Sequence, residues 1–89
     1  MKATRQTSQF KKDVKRMQKR GKDFSEFKNI IERLAIGQKL EPKHRDHLLV
    51  GEYKGSRECH IAPDWLLIYE LGESEVTLIR TDTHADLFE

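Results

Sequence analysis

The stretch RECHIAPDWLLIYEL, residues 57–71, decides the fold. Arg57–Ile61 alternates polar and apolar side chains, the period of a strand with one buried face. Ala62–Pro63–Asp64 has the chemistry of a turn. Trp65–Leu71 is a nearly continuous apolar run, as expected for a central strand covered on both faces. Together they predict a β-hairpin. That hairpin also sets His60 and Asp64 on either side of its turn, with Cys59 and Trp65 beside them. Folding alone does not require a histidine and a carboxylate at a turn.

Outward from the hairpin, Gly72–Ser74 is a second turn. Glu75–Arg80 is a further strand carrying Val76, Leu78 and Ile79. Before the hairpin the period is helical. Phe10, Val14 and Met17 form one stripe at i, i+4 and i+7, with Ser8 as N-cap and Gly21 as C-cap. Phe27, Ile30, Ile31 and Leu34 form a second, wider stripe. Asp23 and Glu26 open it as a capping box and Gly37 ends it. The short link predicts an antiparallel helical hairpin. Residues 2–6 read as an edge strand and Leu40–Asp46 as a loop. Two helices before a meander predict an α+β layer fold in the order β-α-α-β-β-β. The helical hairpin covers one sheet face and the other is free to hold a site.

Eighty-nine residues make one domain, residues 1–89. Hydrophobic and charged residues at 36% each fit a soluble chain with one modest core. No apolar run approaches the roughly 20 residues of a membrane span. MKATRQTSQF lacks the apolar stretch of a signal peptide, and Cys59 alone forms no internal disulfide, so a cytoplasmic location is expected. The net charge of +2 hides an asymmetry. Residues 1–22 hold nine Lys/Arg against the single acid Asp13, for +8, and the remainder carries −6. Lys11, Lys12, Lys15, Arg16, Lys19 and Arg20 surround the first helical stripe. Such a concentration suits a polyphosphate or nucleic acid as well as a solvated helix face.

Four histidines are present: His44, His47, His60 and His84. In a meander the strand carrying His60, the start of the strand after Asp64, and the residues after Arg80 meet at one end. His60, Asp64 and His84 are thereby expected near each other, with His47 entering from the preceding loop. His44 is expected at the surface. Three chemistries compete. A zinc site needs a short ligand pair, but Cys59 and His60 are adjacent and point to opposite strand faces. The same alternation counts against a Cys59 nucleophile with a histidine base. General acid/base chemistry on RNA needs neither metal nor protein nucleophile. There the 2′-OH attacks phosphorus, and histidines with a carboxylate carry the protons. Lys54 and Arg57 could contact phosphate, and Trp65 and Phe88 could stack on bases or anchor the core.

The pattern H-L-L-x-G-x-Y-K-G-x-R-E-C-H-I-x-P-D-W-L-L-I-Y (47–69), followed by T-H-A-D-L-F (83–88), resembles the YafQ branch of the RelE/ParE toxin superfamily. The resemblance spans essentially the whole chain. It implies a RelE-like fold and a toxin of a type II toxin–antitoxin pair. It further implies an mRNA endoribonuclease acting in the ribosomal A site without cofactor or metal. His47, His60, Asp64 and His84 match the family's catalytic positions. Trp65 and Phe88 match its other site positions, and the basic first helix would dock on rRNA. A cognate antitoxin, typically of ribbon-helix-helix type, would cover the RNA-facing surface. The alternatives are a binding-only toxin, as ParE-like relatives are toward DNA gyrase, and a non-catalytic RNA-binding module.

Overall fold

In the computed structural model, which describes residues 1–49, 55–83 and 87, the sheet is built around the apolar run of the hairpin. Strand β1 (Ala3–Gln6) is followed by helices α1 (Ser8–Lys19) and α2 (Ser25–Ile36). A single 3₁₀ turn, Pro42–His44, leads to the short strand β2 (His47–Leu48). Strands β3 (Arg57–Ala62), β4 (Trp65–Leu71) and β5 (Glu75–Thr83) complete the chain order. The spatial order is β1-β5-β4-β3-β2, with β1 parallel to β5 and the other pairs antiparallel. The α+β architecture expected from the sequence is therefore present, with one strand more. The segment expected to be loop holds the 3₁₀ turn, and β5 runs three residues beyond Arg80. Hydrogen bonding to β3 and β4, rather than periodicity, makes β2 and the end of β5 strand, because each is too short or too polar to carry its own signal.

β4 lies in the middle and is buried from Trp65 to Tyr69. Trp65, Leu67 and Tyr69 point toward the helices and join Phe10, Met17, Phe27, Ile30 and Leu34 in one core. Cys59, Ile61, Val76 and Leu78 complete it from the flanking strands. Leu66 and Ile68 alternate to the opposite face, and both are fully buried. Burying side chains of this size contributes about 1.5–3 kcal/mol each.

Helix α1 is capped by Thr7, one residue before the expected Ser8; its Oγ1 accepts from the Phe10 amide at 3.0 Å. The same hydroxyl donates to the Ile79 carbonyl at 2.8 Å, so one side chain starts the helix and ties it to β5. Gly21 follows the end of α1 at φ 77°, and Gly37 ends α2 at φ 79°. The expected capping box at Asp23 and Glu26 does not form. Phe24 takes the N-cap position without a side-chain bond, and Asp23 instead accepts from the Ser25 amide at 2.9 Å. Phe24 is placed there by its ring contacts with Phe27 and Trp65, both at 5.0 Å between centroids.

α1 is locked to β5 by charge. The fully buried Asp13 occupies the helix face between Phe10 and Met17. Its carboxylate accepts from Arg80 Nε at 2.7 Å, Arg16 at 2.7 Å, and Gln9 and the Thr81 amide at 3.2 Å each. Arg16 also reaches the buried Asp82, as does Arg20 at 3.3 Å. Burial works to raise the Asp13 carboxyl. The bonds from Arg80, Gln9 and Thr81 overcome it and hold the group below its ordinary 3.8. A carboxyl held low in the fold contributes stability above its unfolded value and loses it as pH falls through the folded one. Asp13→Asn should therefore cost about 1–3 kcal/mol at neutral pH, because it removes the charge that the half-buried Arg16 and Arg80 donate to and turns an amide donor toward them. The difference from wild type should shrink in acid. Urea unfolding at several pH values measures both, and an unchanged midpoint at pH 7 would contradict the assignment.

Candidate active site

The pleat of β3 sorts its side chains. Cys59 and Ile61 face the helical core, while Glu58 and His60 face the other side. Strand β2 pairs His47 directly opposite Glu58. The Glu58 carboxylate, only 7% exposed, then receives both rings. His47 Nε2 lies 3.6 Å and His60 Nε2 3.5 Å from the same Oε1. His60 is 20% exposed and His47 51%, so the pair opens to solvent above a buried anion. Arg45 helps to set His47. It takes the left-handed conformation at φ 48°, and its carbonyl meets His47 Nδ1 at 2.6 Å. With Nδ1 at that carbonyl, the ring turns Nε2 toward Glu58.

A second acid, Asp46, organises the strand ends beside this group. It accepts from Tyr69 Oη and from Arg57 Nε, the latter at 3.2 Å. The bond to Asp46 raises the Arg57 guanidinium further above its ordinary value, and burial together with Asp46 raises the Tyr69 phenol. Arg57, expected to contact phosphate, is thus anchored to a carboxylate, with 29% of its side chain exposed.

Other expected site residues fall differently. Asp64 is exposed in the Pro63–Asp64 turn, and no hydrogen bond or ion pair joins it to His60 among the described residues. The carboxylate in contact with the histidines is Glu58. Its signal was present in the sequence, since residues 58 and 60 share a strand face. Trp65, offered as a base-stacking residue, is 2% exposed. Its ring stacks on Phe27 at 5.6 Å and meets Phe24 edge-on, and its Nε1–H donates to Thr81 Oγ1 at 2.8 Å. With its ring enclosed in this way, Trp65 is a core residue. His44, expected at the surface, is 2% exposed because the 3₁₀ turn carries it under β3. Lys11, Lys12, Lys15, Lys19 and Arg20 are exposed along α1, whereas Arg16 is half-buried in the ion pairs with Asp13 and Asp82. Lys54, His84 and Phe88 lie outside the described residues.

The pattern of the whole chain matches the family model described as the bacterial toxin of type II toxin–antitoxin system, YafQ, over residues 2–89. The chain belongs to the YafQ family. An mRNA interferase toxin YafQ of Escherichia coli K12 is 42% identical over 83 residues, covering 92% of this chain and 90% of that protein. YafQ in the crystal structure of the E. coli DinJ–YafQ complex superposes with a TM-score of 0.92 at 39% identity, each chain covered completely. A copper-bound mutant toxin from Helicobacter pylori superposes at 0.94 with 35% identity, covering 99% of this chain and all of that one. Among the described residues, no group of three or more His, Cys, Asp or Glu is arranged to hold a metal ion. Nor is any helix long and apolar enough to cross a membrane.

Cys59 has no part in the open site. It is fully buried, and burial, then the charges of Asp46 and Glu58, push its thiol far above the ordinary value of 9.0. The native protein should consume a thiol-specific disulfide reagent only at its unfolding rate, whereas urea-unfolded chain reacts at once. A rapid stoichiometric reaction of the native form would refute this.

Proposed function

We propose that this toxin is an mRNA endoribonuclease, acting on message held in the ribosomal A site. The observation that carries the reading is the pair of imidazoles, His47 and His60, converging on the buried Glu58 at an otherwise open surface. RNA brings its own nucleophile. Attack of the 2′-OH on the adjacent phosphorus yields a 2′,3′-cyclic phosphate and a 5′-OH. A base must take the 2′-OH proton and an acid must protonate the leaving 5′-oxygen. His60 and His84 share these roles, and His47 assists near the scissile phosphate. Asp64 stands at the turn to orient or join in proton transfer. Glu58 places a buried carboxylate within 3.6 Å of both described rings, beside the phosphorus where charge builds. Because the nucleophile comes with the substrate, the reaction is written without a metal.

Around this centre, Lys54 and Arg57 contact phosphate and Phe88 stacks on a base. The α1 cations Lys11, Lys12, Lys15, Lys19, Arg16 and Arg20 dock on rRNA, mainly through the exposed lysines. The partner is a cytoplasmic antitoxin of ribbon-helix-helix type that covers the RNA-facing surface. The relatives named YafQ, one described as an mRNA interferase and one in complex with DinJ, support this reading.

Primer extension on cellular message after expression should reveal codon-phased cuts in translated mRNA only. His60→Ala should lower single-turnover cleavage by about 10²- to 10⁴-fold while leaving the fold intact. Uniform cleavage of untranslated RNA, or a folded His60→Ala variant with full activity, would argue against the mechanism. Replacing the 2′-OH at the cut nucleotide by 2′-H should stop cleavage, and EDTA should leave it unchanged. Cutting of the 2′-deoxy substrate would instead indicate an activated water.

A further inference from the structure

His44 has no part in the mechanism above, yet it touches the backbone of a residue that does. Its Nδ1 lies 2.8 Å from the carbonyl of His60. A carbonyl only accepts, so Nδ1 carries the proton. That carbonyl stands at an irregularity: the β3–β4 register shifts between His60 and Ala62. A bulge bends its strand and re-aims the side chain beside it, but it also loosens the ladder that holds the strand. The bond from His44 supplies a fixed donor where the ladder is disturbed.

The other ring nitrogen is held as well. His44 Nε2 lies 3.1 Å from Glu26 Oε1 on α2, yet it is buried with no aligned hydrogen bond. The contact is one of charge and proximity. The ring thus spans from α2 to β3, and its backbone belongs to the 3₁₀ turn that leads into β2 and His47. A cavity of about 500 Å³ opens beside it, lined among others by Glu26, Lys43, His44, Arg45, His60 and Pro63.

We infer that His44 is a positioning residue: its Nδ1–H fixes the His60 carbonyl at the β3 bulge and so aims the His60 ring at the substrate. The inference rests on the catalytic reading of His60. Two substitutions of like polarity separate the roles of the ring nitrogens. In His44→Asn the amide nitrogen takes the place of Nδ1, whereas in His44→Gln it takes the place of Nε2. A misdirected reacting group costs on the order of 10²-fold in rate. His44→Gln should slow single-turnover cleavage of ribosome-bound message to that degree, with the half-saturating ribosome concentration unchanged. His44→Asn should restore the rate. The carbon-bound proton signals of the His60 ring, read by NMR on the free protein, should move in the Gln variant and return in the Asn variant. Equal rates and unshifted His60 signals in both, or equal impairment in both, would overturn the inference. The ring signals need no cleavage. A wild-type protein that cut no message would therefore remove the catalytic reading while His60 positioning was still measured.

Discussion

The two-residue alternation of β3 is the constraint on which the rest of the molecule depends. Four consecutive positions, Glu58 to Ile61, send Cys59 and Ile61 into the helical core and Glu58 and His60 to the opposite face. A slip of one residue would bury His60 and expose Cys59. The register is held because β4 is apolar on both faces. Leu67 faces Cys59 and Leu66 faces His60, and every β4 residue from Trp65 to Tyr69 is buried. A small core and an open site can therefore share one strand without competing for side chains.

Buried and half-buried anions recur throughout this basic protein. Glu58 lies under His47 and His60, Asp46 between Tyr69 and Arg57, Asp13 and Asp82 among Arg16, Arg20 and Arg80. Removing a carboxylate from water is costly unless several donors surround it. Asp13, Asp46 and Asp82 each have at least two cationic or hydroxyl donors, and Glu58 has two imidazoles within 3.6 Å. They join parts of the fold that apolar contact alone leaves free to slide: α1 to β5, the segment before β2 to β3 and β4, and β2 to β3. The carboxylates therefore supply geometry as much as stability.

Local chemistry made most of the fold legible in the sequence. The hairpin around Pro63–Asp64, the stripes of the two helices and the closing strand all announce themselves by periodicity and turn residues. β2 did not, because two residues carry no period. The site was legible as far as side-chain type and strand parity reach. His60 and Cys59 part company by alternation alone, and His47 arrives as expected because β2 is paired to β3. Tertiary burial was not legible. Nothing local distinguishes His44, hidden by a 3₁₀ turn, from a surface histidine. Trp65 suits a base as well as it suits Phe24 and Phe27 until the second helix is placed against it. Glu58 was the missed opportunity, since its parity with His60 is written in the sequence.

The first helix shows how one charge excess is divided between two uses. Counted along the sequence, its arginines and lysines are equivalent positive charges. In the fold, Arg16 and Arg20 turn to Asp13 and Asp82, while Lys11, Lys12, Lys15 and Lys19 stand in solvent. The division follows their chemistry. A planar guanidinium presents several donors in fixed directions and is weakly hydrated, so it bridges two buried carboxylates. An ammonium on a flexible stem keeps its water and meets a diffuse polyanion as a point charge. The same helix is thus bolted to β5 through its arginines and left adhesive through its lysines. Its acidic residue, Asp13, sits on the bolted side, where it takes nothing from the lysine surface.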